Sequence, residues 1–147
     1  FLVIPIFIFG FWKAMLGFFV MHAALGLSLA LVFQMAHAVE EAEFPVPNHD
    51  AKIENEWALH QVATTVNFAM RNRVISWLVG GLNYQVEHHL YPKISHIHYP
   101  QISKIVKQTC EDLNIRYNAF PTFGQALLSH FRYLKLLGTS PYQIPSY

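Results

Sequence analysis

Gln85, His88 and His89, in the run GGLNYQVEHHLYPKISHIHYP, are the residues of this chain best suited to hold a metal ion. On a helix, positions i, i+3 and i+4 share one face, so these three side chains converge while Val86 and Glu87 turn elsewhere. Two neighbouring imidazoles then offer nitrogen donors to iron, zinc or copper. The run follows an apolar segment long enough to span a bilayer, and that combination points to oxygen chemistry on a lipid. Adjacent histidines can also simply cap or solvate a helix, so the spacing alone leaves both readings open.

The stretch resembles the third histidine box of the integral-membrane fatty acid desaturases, in the form where glutamine replaces the first histidine of H-x-x-H-H. That form is similar to the front-end (delta-5/delta-6, linoleoyl-CoA desaturase-like) branch. The similarity extends to Gln34-Met35-Ala36-His37, to the stretch from Trp57 to Asn67 and to His89-Leu90-Tyr91-Pro92, and it covers residues 2–137. The resemblance implies a di-iron centre held mainly by neutral histidines, dioxygen as co-substrate, and removal of two hydrogens to leave a cis double bond and water. It further implies a fatty acyl-CoA or acyl-lipid substrate in an apolar tunnel, with a b-type cytochrome or a ferredoxin as electron donor. The metal ligands it assigns here are His37, Gln85, His88 and His89, Gln85 acting directly or through a water. Family members also carry two earlier boxes, of the H-x-x-x-H and H-x-x-H-H kinds, and neither pattern precedes His37. The chain is therefore expected to be the C-terminal part of a longer enzyme and inactive by itself.

Composition divides the sequence. All nine Asp and Glu, and every Lys and Arg but Lys13, lie beyond Val39. Residues 14–33 form an apolar stretch broken only by His22 and Ser28; at 1.5 Å per residue its roughly 20 residues cover about 30 Å, the thickness of a hydrocarbon core. Residues 1–12 are as apolar but too short to cross alone, and Pro5 and Gly10 suggest a truncated span, with Lys13 in the turn that follows. A signal peptide would need a basic n-region, which is absent. The expected architecture is all-α: a membrane helical hairpin over residues 1–38, with its transmembrane helix at 14–36, then a cytoplasmic helical cap over residues 39–147 that carries part of a histidine-rich di-metal site. The basic residues beyond the span place that cap on the cytoplasmic side by the positive-inside tendency. The single cysteine, Cys110, fits a reducing compartment, and a net charge of +1 gives no reason to propose nucleic acid.

Residues 40–50, with Pro45 and Pro47, read as a loop leaving the bilayer. Residues 52–78 read as one long helix with Ile53, Trp57, His60, Thr64 and Asn67 near one stripe, ended by Gly80-Gly81. The short histidine helix follows and Pro92 stops it. Pro100 suits a first helical position ahead of an apolar face of Ile102, Ile105, Val106 and Leu113. Thr122 and Gln125 form a capping box for a last helix with Leu127, Phe131, Leu134 and Leu137 on its apolar side, ending at Gly138. The tail from Thr139 reads as extended, and no alternating strand pattern stands out.

The other polar residues carry weaker signals. His37 could equally be a histidine at the headgroup level, and Gln34, one turn earlier, could orient a water. His22 lies mid-span, where an ionisable side chain is costly, and bonding to a neighbouring helix is its simplest use. Glu87 could accept the second ring N–H of a liganding histidine and fix its tautomer. His60, Asn67 and Asn83 are further outer-sphere candidates. His96 and His98 read as structural, and His49 and His130 as loop and packing residues. Two other functions stay open: a hydroxylase or ketolase on a related membrane di-iron scaffold, and a non-catalytic membrane protein binding metal or haem.

Overall fold

In the computed structural model, the apolar start of the chain folds as two helices, α1 (Val3–Phe9) and α2 (Phe11–His37). The break falls at Gly10, whose φ of 81° is open to glycine and strained for other residues. Lys13 lies inside α2 rather than in the turn the sequence suggested, because nothing in Phe11-Trp12-Lys13 resists a helix once Gly10 has ended the first one. The 27 residues of α2 are long and apolar enough to cross a bilayer. Leu16, Phe19, Val20, Leu25 and Leu27 are all exposed, spread around the helix as a lipid-facing segment requires. The structure describes residues 1–50, 52–53 and 56–139, and these fall into two compact units that meet within α2, Phe1–Leu31 and the residues from Val32 onward.

The second unit is mostly helical but not all-α. The long helix expected over residues 52–78 is broken: α3 spans Trp57–Thr64, the chain then runs extended through β1 (Asn67–Phe68), and α4 occupies Arg73–Leu78. The cause lies in Thr64-Thr65-Val66. The Thr64 hydroxyl donates to the carbonyl of His60 at 2.8 Å and that of Thr65 to Gln61, consuming helix acceptors, while three consecutive β-branched residues favour extended backbone. The amides beyond this point find partners elsewhere: Val66 donates to Ala36, Asn67 to Asn118, Phe68 to Asn83 and Ala69 to Phe120, at 2.9–3.0 Å. β1 thus pairs in parallel with β2 (Ala119–Phe120), Asn67 opposite Ala119 and Phe68 opposite Phe120. Two-residue strands leave no periodic trace in a sequence.

Three helices close the core around this strip. α5 (Gln85–Leu90) stops before Pro92, and α6 (Tyr99–Asp112) takes Pro100 in its first turn. Val62, Val86, Val106 and Cys110 pack together, with Leu90, Ile102, Ile115 and Tyr117 against them. Ile105 and Leu113, expected on the buried face of α6, are exposed, and Cys110 takes the inner position. α7 (Phe123–Thr139) opens on the expected capping box, the Gln125 amide donating to the Thr122 hydroxyl. Its inner side is Ala126, Ser129 and His130, and Phe131, Leu134 and Leu137 face outward, because His130 Nδ1 donates to the Ala38 carbonyl at 2.8 Å and sets the helix rotation. Of the tail expected to be extended, Thr139 ends α7 and residues 140–147 lie outside the described residues.

Gly80 and Gly81 end α4 with φ of 59° and 79°. A Cβ on Gly81 would lie 2.6 Å from the Cβ of His96, whereas one on Gly80 would meet nothing within 4 Å. Gly80→Ala should therefore cost about 1 kcal/mol for the left-handed backbone alone. Gly81→Ala should cost about 1–3 kcal/mol more, from the clash. Denaturant unfolding of the detergent-solubilised protein measures both, and adding His96→Gly to Gly81→Ala should recover the excess.

Candidate metal centre

α5 is short and has no capping side chain of its own. Its free first-turn amide at Val86 is satisfied from another segment: the Asn67 carboxamide oxygen on β1 accepts it at 2.9 Å. The Asn67 amino group donates to Glu87 Oε2 at 2.8 Å and to the Tyr117 hydroxyl at 2.6 Å, and Tyr117 donates to Glu87 Oε1 at 2.7 Å. Glu87 is fully buried, and burial raises its pKa although the bonds from Tyr117 and Asn67 act the other way. Burial and the adjoining carboxylate in turn push the Tyr117 phenol up. Glu87 therefore does not orient a histidine, as its sequence position suggested; it anchors α5 with its side chain turned to β1 and Tyr117.

With α5 fixed in rotation, Gln85 and His89 face the end of α2. Gln85 Nε2 lies 3.3 Å from His37 Nε2 and 3.4 Å from His89 Nε2, and the two imidazole centroids are 5.0 Å apart. The opposite ring nitrogens point to acceptors on α3: His89 Nδ1 to Gln61 Oε1 at 2.7 Å, His37 Nδ1 to the carbonyl of Thr64 at 3.4 Å. Because a carbonyl-type oxygen can only accept, each ring carries its proton on Nδ1 and presents a bare lone pair at Nε2. Both lone pairs are aimed at the Gln85 amide. The other atom of that amide, Oε1, is buried without a hydrogen-bond partner among the described residues.

Three of the four sequence-proposed ligands, His37, Gln85 and His89, are thus brought together. His88 stands beside them, its ring 5.9 Å from that of His89 and its Nδ1 3.2 Å from the Tyr99 hydroxyl. Among the described residues no three His, Cys, Asp or Glu side chains gather into a group that could hold a metal; the third member of this cluster is an amide. The donor set nonetheless fits a cation: two neutral imidazole nitrogens converge, and an orphaned carboxamide oxygen on the same residue can turn toward them. Burial, then the neighbouring His37 and His88, lower the pKa of His89 to about 4, so its lone pair stays free at neutral pH.

The remaining candidates fall elsewhere. His60 makes no bond to this cluster, and its Nδ1 is buried without a partner among the described residues; its neighbour Gln61 is the one that reaches the site. Nothing in the sequence pattern singled out Gln61, Tyr99 or Tyr117. Gln34 is exposed, Asn83 donates to the Ser76 hydroxyl at 2.9 Å, and His22 bonds within its own helix to Phe18 rather than to a neighbour. His96 and His98 form an exposed 3₁₀ turn. An apolar groove of about 330 Å³ between α3, α5 and α6 is lined by Val62, Leu90, Val106 and Cys110 among others, but by none of the four proposed ligands.

A helix long and apolar enough to span a membrane thus ends in a histidine that meets a Q-x-x-H-H helix. The chain belongs to the fatty acid desaturase family, whose model matches residues 1–121. It is 40% identical over 127 residues to the sn-1 linoleoyl-lipid 6-desaturase of Synechocystis, covering 86% of this chain and 35% of that protein. It is 43% identical over 142 residues to the protein of the same name from Arthrospira platensis, covering 96% of this chain and 38% of the other. To the acyl-lipid (8-3)-desaturase of Physcomitrium patens it is 44% identical, over 81% of this chain and 25% of that protein. The chain thus spans about a quarter to two-fifths of the length of these relatives. No solved structure matches it.

The lowered pKa of His89 gives a pH dependence. The unfolded chain binds a proton at this histidine near pH 6.5 and the folded chain only near 4, so the unfolded state holds more protons between those values. Stability therefore falls as pH drops from 6.5 toward 4. Glu87, with its raised pKa, opposes this slope. Unfolding midpoints of metal-free protein across this window should fall less steeply for His89→Gln than for the wild type; equal slopes would remove His89 as a buried neutral histidine.

Proposed function

We propose that this chain supplies part of the di-iron centre of an oxygen-dependent acyl desaturase, with His37, Gln85, His88 and His89 as metal ligands. The observation that carries the reading is the convergence of His37 and His89 on Gln85, from positions 48 and 4 residues away in sequence, with both Nε2 atoms unprotonated. The Gln85 amino group donates to both rings, and its oxygen has no partner among the described residues. A cation between the rings would reverse that preference, since a half-turn of the amide brings the oxygen to the metal and relieves the orphaned acceptor. His88, whose Nδ1 lies 3.2 Å from the Tyr99 hydroxyl, would add its Nε2 to the donors.

Two bound irons would supply the activation of dioxygen that removal of hydrogen from an unactivated methylene demands. The chain's own residues hold the rings in one tautomer, keep His89 unprotonated and exclude water around Gln85. Four donors are fewer than two irons need, so further ligands come from outside these 147 residues. The similarity to proteins named acyl-lipid and linoleoyl-lipid desaturases supports an acyl-lipid as substrate ahead of an acyl-CoA. Electrons would come from a b-type cytochrome or a ferredoxin. Residues 1–38 then belong to the membrane and 39–147 to its cytoplasmic face, where the donor docks.

In the complete desaturase, His37→Ala, His88→Ala and His89→Ala should each lower bound iron and turnover by more than about tenfold, while His96→Ala and His98→Ala retain most of both. Iron analysis and acyl-product mass spectrometry read the outcome, and equal loss across all five would overturn the assignment. The 147-residue chain expressed alone should enter membranes and form no new double bond. A product from it at the rate of the complete protein would show that the catalytic site is built elsewhere.

A further inference from the structure

α3 contributes no metal ligand in the proposal above, yet both imidazoles that converge on Gln85 are backed by it. Gln61 and Thr64 lie three residues apart on α3 and so share a face. Their two oxygens receive the two Nδ1 protons. The hydrogen bonds run outward from Gln85 in two directions: Gln85 donates to Nε2 of His89, whose Nδ1 donates to Gln61, and to Nε2 of His37, whose Nδ1 donates to Thr64. Every proton in that arrangement has a single place. Reversing the Gln61 amide would force the His89 proton onto Nε2, where it would collide with the Gln85 amino group and block a metal.

The two supports differ in kind. The Thr64 carbonyl belongs to the last turn of α3, where helix carbonyls lack an intrahelical partner, so it is available through backbone geometry alone. Gln61 acts through its side chain, and at 2.7 Å its bond is the shorter of the two. We propose that Gln61 is a positioning residue for the metal centre: its Oε1 holds His89 in the Nδ1–H tautomer and orientation that present Nε2 to a metal. The inference rests on the metal-centre reading, and it adds a residue that touches neither metal nor substrate.

The test uses the complete desaturase in detergent with Co(II) as the probe metal, reading its affinity by competition and its visible absorption, alongside the unfolding of metal-free protein. Gln61→Met keeps the volume and removes the acceptor, and should weaken Co(II) binding by about 10–100-fold and shift the cobalt bands. Gln61→Glu keeps an acceptor at the same reach and should restore affinity to within about threefold of wild type, with the cobalt bands at their original positions. Gln61→Asn, whose amide is one methylene short, should behave like Gln61→Met and replaces it should that variant not fold. Wild-type affinity in Gln61→Met, or Gln61→Glu as weak as Gln61→Met, overturns the proposal. His89→Ala separates the two ideas: unchanged Co(II) binding there would defeat the metal-centre reading itself, whereas loss there with none in Gln61→Met would defeat only the role of Gln61.

Discussion

The strip from Val66 to Ala69 is the constraint on which the second unit depends. Its four consecutive amides bond to four different carbonyls, at Ala36, Asn118, Asn83 and Phe120. One short extended segment therefore ties the end of the membrane-length helix, the turn before the histidine helix and the stretch after α6. A helix in its place would have satisfied the same amides internally and left those three regions without a common partner. The meeting of His37 with Gln85 and His89 follows from this arrangement, since the residues on either side of the cluster, Ala36 and Asn83, are bonded to Val66 and Phe68, two positions apart on the strip.

Glu87 adds an angular constraint. A buried carboxylate is not a source of stability in itself, and apolar side chains of similar volume often do as well. What its two donors fix is rotation: turning α5 by one residue, about 100°, would carry Glu87 away from both Asn67 and Tyr117 and leave a charge unpaired. That same rotation would swing Gln85 and His89 off the end of α2. The polar anchor on one side of the helix thus defines what the other side can bind, and the small apolar cluster of Val62, Val86, Val106 and Cys110 holds the helices at the distance where both hold.

Features legible in the sequence are those that local chemistry decides. Gly10, Pro92, Pro100, Gly80-Gly81 and the Thr122 capping box all mark element ends close to where they occur, because each acts through its own backbone or its immediate neighbours. The spacing of Gln85 and His89 placed them on one face, and the residues around His37 carried the family resemblance. The break after Thr64 was hidden because the helical periodicity masked the β-branched run Thr64-Thr65-Val66, and the partners that the freed amides find lie elsewhere along the chain. Gln61 was hidden for a related reason: a glutamine on a helix is ordinary, and only the tertiary arrangement turns its oxygen to an imidazole. His60, beside it, drew attention by its type and lies off the cluster.

The parallel pairing of β1 with β2 also sets an order of events during synthesis. Asn118 donates to the carbonyl of Glu41, 77 positions earlier, and its own carbonyl accepts from Asn67. At roughly 5–20 residues per second, about 4–15 s separate the emergence of those two ends. The apolar helix precedes that interval, and once the histidine helix has emerged within it only Asn67 on β1 is present to fix its rotation until Tyr117 follows. Emergence of the apolar helix and assembly of the polar cluster are therefore separated in time, the second waiting on residues that come late in the chain.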